Sequence, residues 1–138
     1  FSFDFNQEEP SVIEKRYCAF RKFFKGEILF LTTKSADYQE ILKSVSEYLM
    51  EQPFTAIYST ADILAAKLNQ IFKDISIVGV DNAEFDEFIS PKLTTVAIDQ
   101  VEKGKMAMSN LIDSIENEIS EDYISDSLLL VRDSVKKL

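Results

Sequence analysis

The run Ile75–Val80, ISIVGV, constrains this chain more than any other stretch. It is short, apolar and rich in β-branched residues, with one small residue, Gly79, inside it. Such a run reads as a strand covered on both faces, as in a parallel sheet. It stops at Asp81-Asn82, polar residues placed where the chain must turn. A polar-aromatic spacer follows, then Pro91 and a further strand, Leu93–Ile98. Ligands of open α/β sheets bind at the carboxyl ends of the strands, so Asp81 stands where a ligand-contacting carboxylate is expected. The same residue could serve only to cap the turn, and position alone leaves both roles open.

The flanking sequence extends this pattern in both directions. Phe1–Phe5 alternates apolar and polar and reads as a first strand. Pro10, with acidic residues around it, suits the start of a helix. Val12, Ile13, Tyr17, Phe20 and Phe24 then recur at helical spacing, and Gly26 suits the C-terminal cap. Glu27–Thr32 reads as a second strand. Ser35 is positioned to cap a helix with Tyr38, Ile41, Leu42, Val45, Tyr48 and Leu49 on one face, and Pro53 marks the return. Phe54–Ser59 is a third strand, with Thr60 as N-cap of the helix ADILAAKLNQIF.

Beyond Ile98, Asp99 and Glu102 have capping-box spacing. Behind them Val101, Gly104, Met108, Leu111, Ile112, Ile115 and Ile119 trace an apolar stripe, its methionines read as packing residues. The polar stretch Ser120–Asp126 leads to a last strand, Ser127–Val131, and a charged tail. Strands alternating with helices at this spacing define an α/β fold, a parallel sheet with helices on both faces.

Composition removes whole classes of function. The 138 residues fit one domain able to bury a core. A net charge of −9, from 24 acidic and 15 basic residues, repels phosphate backbones, so this stretch should not itself bind nucleic acid. There is no histidine, which excludes histidine-based triads and general bases and most zinc sites. The single cysteine, Cys18, allows no internal disulfide and sits in an amphipathic helix as a packing residue. With three glycines, no dinucleotide fingerprint, Walker loop or G-x-S-x-G elbow exists. The acidic cluster Asp81, Glu84, Asp86 and Glu87 lacks calcium-loop spacing and reads as a solvated loop face. No cofactor, metal site or catalytic set is expected, and no apolar run approaches the roughly 20 residues of a membrane span.

The segments DISIVGVDN and, after the acidic-aromatic spacer, SPKLTTV resemble the effector-binding domain of LacI/GalR-type transcriptional repressors. That family shows D-[IV]-S-[IV]-[IV]-G-[FY]-D-[DN] followed by P-x-L-T-T-[IV]. The resemblance extends unevenly over nearly the whole chain. Its early S-x-x-R-x-x-G-[FYW] pattern is met by Ser11, Arg16 and Phe20, with Ala19 for the glycine and the serine one residue further away. The family's PTAI strand and N-D-x-x-A-x-G helix start are similar to FTAIYSTADILAA, where Asp62 matches and Ala61 replaces the usual asparagine. Ile98 stands where a polar residue often faces the effector, and Gly104 matches the glycine of the next helix. LLLVRDS resembles the closing segment through Arg132 and Ser134.

What the resemblance implies is a small-molecule effector, a carbohydrate or derivative, with Arg16, Asp81 and Asp62 as ligand-binding positions. Arg16 and Asp81 would recognise hydroxyls; Arg132 is given no ligand role. Apolar Ala61 and Ile98 imply a less polar, altered or lost pocket. The connection before DISIVG is also shorter than usual. Residues 1–138 would be the C-terminal part of the effector domain, with 98–120 crossing to an N-terminal subdomain that these residues lack. DNA binding would rest on a headpiece outside this chain. The implied protein is a cytoplasmic homodimer, not an enzyme, in which ligand-linked closure of two subdomains alters operator affinity. The runner-up is a sugar-binding protein of an ABC transporter, which shares the fold. A third reading, an α/β enzyme, is opposed by the absent histidine and glycine motifs.

Overall fold

The computed structural model describes residues 11–29, 31, 37–51, 54–118 and 122–136. The expected strand Phe1–Phe5, Pro10, the cap Ser35, Pro53 and Ile119 lie outside them. The chain divides into two compact units, Phe1–Thr55 and Ala56–Leu138.

In the first unit, helix α1 is Val12–Phe23 and helix α2 is Tyr38–Glu51. A capping box starts α1: Ser11 Oγ accepts from Glu14 N at 3.3 Å, and Ser11 N donates to Glu14 Oε2 at 2.6 Å. The C-cap is Phe24, not Gly26; its extended backbone lets its ring stack on Phe20 at 5.4 Å between centroids. In α2, Leu42 and Val45 are buried, and Asp37 Oδ1 accepts from Gln39 N at 2.7 Å at its start. The strand expected at Glu27–Thr32 is not formed in its described part, Glu27–Leu29 and Leu31. An apolar run becomes a strand only beside a neighbour that takes up its backbone groups, and no described strand of this unit provides one.

The second unit is built in the order β1 (Ala56–Tyr58), α3 (Asp62–Ile71), β2 (Ser76–Asp81), a short 3-10 helix (Glu84–Glu87), β3 (Thr94–Ile98), α4 (Gln100–Glu116) and β4 (Ser127–Leu130). Its sheet has the order β1-β2-β3-β4. The pairs β1–β2 and β2–β3 are parallel, aligning Ile57 with Ile77 and Gly79 with Thr95. The expectation of an all-parallel sheet fails at β4, which runs antiparallel to β3 with Ser127 opposite Ile98. The reason lies in α4. A crossover helix that packs back along a sheet returns the chain to the far end and gives a parallel strand. No residue of α4 is buried, and β4 begins beside the last residue of β3.

Apolar burial holds α3 against β2. Ala65, Ala66 and Leu68 of the helix, Ile77 and Val80 of the strand, and Leu93 are all buried. The last described residues stitch the sheet from below: Ser134 Oγ donates to Ile77 O at 2.6 Å and accepts from Thr94 N at 2.8 Å, while Ile77 N donates to Ser134 O at 2.9 Å. By contrast the stripe of α4 stands open, with Val101, Met108, Leu111, Ile112 and Ile115 all exposed. Asp99 caps this helix by accepting from Glu102 N at 2.8 Å.

Gly79 is where helix and strand approach most closely. A Cβ there would overlap Oδ1 of Asp62 and stand 3.1 Å from the Cβ of Ala65. Substitution Gly79→Ala is therefore expected to lower stability by about 1–3 kcal/mol, read as a fall in Tm by thermal denaturation of the full-length protein. An unchanged Tm would show that α3 can move away from β2 without loss.

Candidate functional site

The carboxyl end of β2 carries the structure's sharpest backbone departure. Asp81, still paired in register with Ala97, has φ 122°, and Asn82 follows with φ 57°. Asn82 lies in the left-handed region that asparagine tolerates, whereas φ 122° is rare for any residue with a side chain. Such a conformation costs about 1–3 kcal/mol and persists only when its surroundings over-determine it.

Three neighbours do so here. Asn82 N donates to Thr95 Oγ1 at 3.3 Å. The Asn82 side-chain oxygen accepts from Arg132 Nη2 at 2.8 Å. Ala83 N donates to Asp62 Oδ2 at 3.0 Å. Arg132 is a clasp: Nη1 donates to Leu93 O at 2.8 Å, Nη2 also reaches Glu87 Oε1 at 3.1 Å, and its backbone N donates to Thr94 Oγ1 at 2.9 Å. Because Glu87 is largely exposed, that ion pair adds little; the bonds to Leu93 and Asn82 set the geometry.

Asp62, the first residue of α3, is only 1% exposed. Thr95 Oγ1 donates to its Oδ1 at 2.7 Å and lies 2.9 Å from Oδ2. The Asp62 carboxylate, expected as a ligand position, faces inward, held by Thr95 and Ala83, beside the turn that carries Asp81. The expected cap Thr60 is likewise replaced. The N-cap of α3 is Ala61, without a side-chain cap bond, and Ser59 Oγ turns back to donate to Ala61 O at 2.9 Å.

Asp86 departs from the solvated loop face expected of it. It is 0% exposed, and neither side-chain oxygen has a hydrogen-bond partner, while Glu84 and Glu87 beside it are exposed. Burial first, and then the carboxyl of Asp62 facing it, push the Asp86 pKa up to about 7, against the opposing pull of Arg132.

Of the three expected ligand positions, Asp81 ends β2 at the turn, and Asp62 bonds to Ala83 N just beyond it. Arg16 lies half-buried on α1 in the other unit. Ile98 ends β3 and is half-buried. Among the described residues, no group of three or more metal-ligating side chains could hold an ion, and no helix is long and apolar enough to cross a membrane. The sequence reading does not single out Thr95, places Asp86 on a solvated loop face and gives Arg132 no ligand role. Two signals were available: a lone glycine within a strand marks close approach, and two threonines inside an apolar strand must bond to something.

Thr95 both accepts from the turn and donates to Asp62, so the isosteric change Thr95→Val strips the buried carboxylate of a donor. A loss of about 1–3 kcal/mol is expected, with faster amide hydrogen exchange across 82–88; exchange unaltered there would disprove the coupling.

The periplasmic binding protein-like domain family matches residues 6–135. The HTH-type transcriptional repressor CytR of Escherichia coli K12 is 32% identical over 99 residues, covering 64% of this chain and 29% of CytR. PurR of Aliivibrio salmonicida, also an HTH-type transcriptional repressor, is 36% identical over 107 residues, covering 70% of this chain and 32% of PurR. This chain thus spans about a third or less of the length of these relatives. Among solved structures, a LacI family transcriptional regulator from Enterococcus faecium with bound ribose superposes with a TM-score of 0.66 at 27% identity, over 75% of this chain and 42% of that one. The chain belongs to the periplasmic binding protein-like domain family, in the form found in LacI-family transcriptional regulators.

Proposed function

We propose that these residues form the effector-binding and dimerisation part of a LacI-type DNA-binding repressor. The observation that carries this reading is the strained, over-determined Asp81–Asn82 turn at the carboxyl end of a central parallel strand. Strain held in place by a buried network belongs to sites that must present a side chain in one geometry. Asp81 accepts from the hydroxyls of a carbohydrate or carbohydrate derivative, and the family resemblance gives Arg16, in the other unit, a hydroxyl-donating role. The E. faecium relative, solved with ribose, supports a ligand of this class. With Ala61 and Ile98 at apolar positions beside the turn, the effector has a less polar side than a simple sugar.

In the full protein, the exposed stripe of α4 packs on an N-terminal subdomain, and residues 98–120 cross to it. That placement gives the open residues Val101 to Ile115 a partner and explains why β4 returns antiparallel. Effector binding closes the two subdomains, shifts the geometry of a homodimer and thereby changes operator affinity. DNA contact comes from a headpiece, because a surface of net charge −9 repels phosphates. The protein acts in the cytoplasm and catalyses no reaction.

Titration calorimetry of the full-length protein with pentoses, hexoses and their less polar derivatives tests the site. Asp81→Asn is expected to weaken binding about tenfold with the far-UV spectrum unchanged, and the bound effector to alter affinity for a DNA fragment selected by the protein. Effector binding indifferent to both Asp81→Asn and Arg16→Ala would refute the assignment.

A further inference from the structure

Asp86 is buried without a donor to either oxygen, and the side chain facing it is another carboxyl, that of Asp62. Two ionised carboxylates in such a place repel each other, and a charge left unpaired in the interior is among the costliest arrangements in a protein. The surroundings distinguish the two acids. Asp62 accepts from the Thr95 hydroxyl and from Ala83 N. Neither side-chain oxygen of Asp86 has a hydrogen-bond partner, Arg132 and the Ala83 N–H offset only part of the effect of burial, and its backbone is tied at both ends: its N donates to Ala83 O at 3.0 Å, and its O accepts from Leu93 N at 3.0 Å. Asp86 therefore cannot swing out to water without undoing the turn.

We propose that Asp86 is a positioning residue that works as a neutral acid: its carboxyl O–H donates to the carboxylate of Asp62, and the pair shares one proton beneath the Asp81–Asn82 turn. A carboxylate has about four acceptor positions, so Asp62 has room for this third donor. The arrangement gives one of the two unpartnered oxygens a partner through the donated proton and leaves the other as the carbonyl oxygen of a neutral group, less costly to bury than a charge. The remaining charge facing the pair is Arg132, which comes from the segment after β4 and is itself engaged with Leu93, Asn82 and Glu87. Glu84 and Glu87, on the same short helix, are exposed. The proton sits here whatever ligand the turn serves.

The sign of the pH dependence follows from linkage. In the unfolded chain Asp86 ionises at the ordinary carboxylate value, whereas in the fold it keeps its proton to higher pH. Its contribution to stability is therefore complete in acid and is lost as pH rises from about 4 to about 7. Most carboxylates behave in the opposite way, so the difference between wild type and a neutral mimic isolates this group.

Thermal denaturation of the full-length wild type, Asp86→Asn and Asp86→Ala from about pH 4 to about pH 8, with carbon-13 NMR titration of the aspartate carboxyls, provides the test. The Tm difference, wild type minus Asp86→Asn, should fall steadily with pH, because the asparagine amide keeps a donor that does not titrate. Asp86→Ala should lose stability throughout, and the Asp86 carboxyl carbon should titrate near neutrality. A flat difference between wild type and Asp86→Asn would mean that Asp86 acts by shape alone and would overturn the proposal. If Asp86→Asn fails to fold, the wild-type titration decides: an Asp86 carbon titrating at about 4 overturns it equally.

Discussion

The carboxylate of Asp62 is the interaction on which the rest of this structure depends. It is withdrawn from water at the first residue of α3. Its other neighbours come from elsewhere in the chain: the hydroxyl of Thr95 on β3 and the backbone N–H of Ala83 beyond β2. A buried polar group is tolerable only while such donors surround it, so helix, strand and turn cannot shift independently. Gly79 belongs to the same arrangement, since any side chain at that point of β2 would occupy the space the carboxylate fills.

From this anchor the geometry of the turn follows. Asp81 and Asn82 hold backbone angles that isolated residues avoid, and the network around Asp62 and Thr95 makes the alternatives worse. Arg132 reaches the same turn from fifty residues away in sequence, joining the end of the chain to the middle of the sheet. The turn after β2 is thus shaped by the closing segment as much as by the strands. On the opposite account stands α4, an amphipathic helix with no buried residue, whose packing is not supplied by the residues described here.

Several elements were legible because their signal is local. The apolar run ending at Asp81 became β2, the run Leu93–Ile98 became β3 with its start at Thr94, and the stripe behind Asp99 became α4 with Asp99 as its cap. Glu27–Thr32 looked equally strand-like, yet its described part is not strand, because pairing is decided by what lies alongside. The direction of β4 was illegible for a related reason: it depends on where α4 carries the chain. Ala61 and Phe24, rather than Thr60 and Gly26, mark helix ends, which are the positions most open to local competition.

The family and the importance of the turn after Val80 were determined by sequence, since motif spacing and hydrophobic period are properties of neighbours along the chain. Which carboxylates are withdrawn into the fold and which stay open to solvent was decided only in three dimensions. In sequence, Asp81, Glu84, Asp86 and Glu87 form one acidic group, and Asp62 looks like a member of the pocket. The short 3-10 helix places Glu84 and Glu87, three residues apart, on one outward side and turns Asp86 into the interior toward Asp62. Burial and the company of donors determine whether an acid is a charge or a proton carrier, and both are set by residues distant in sequence that only the packed sheet brings together.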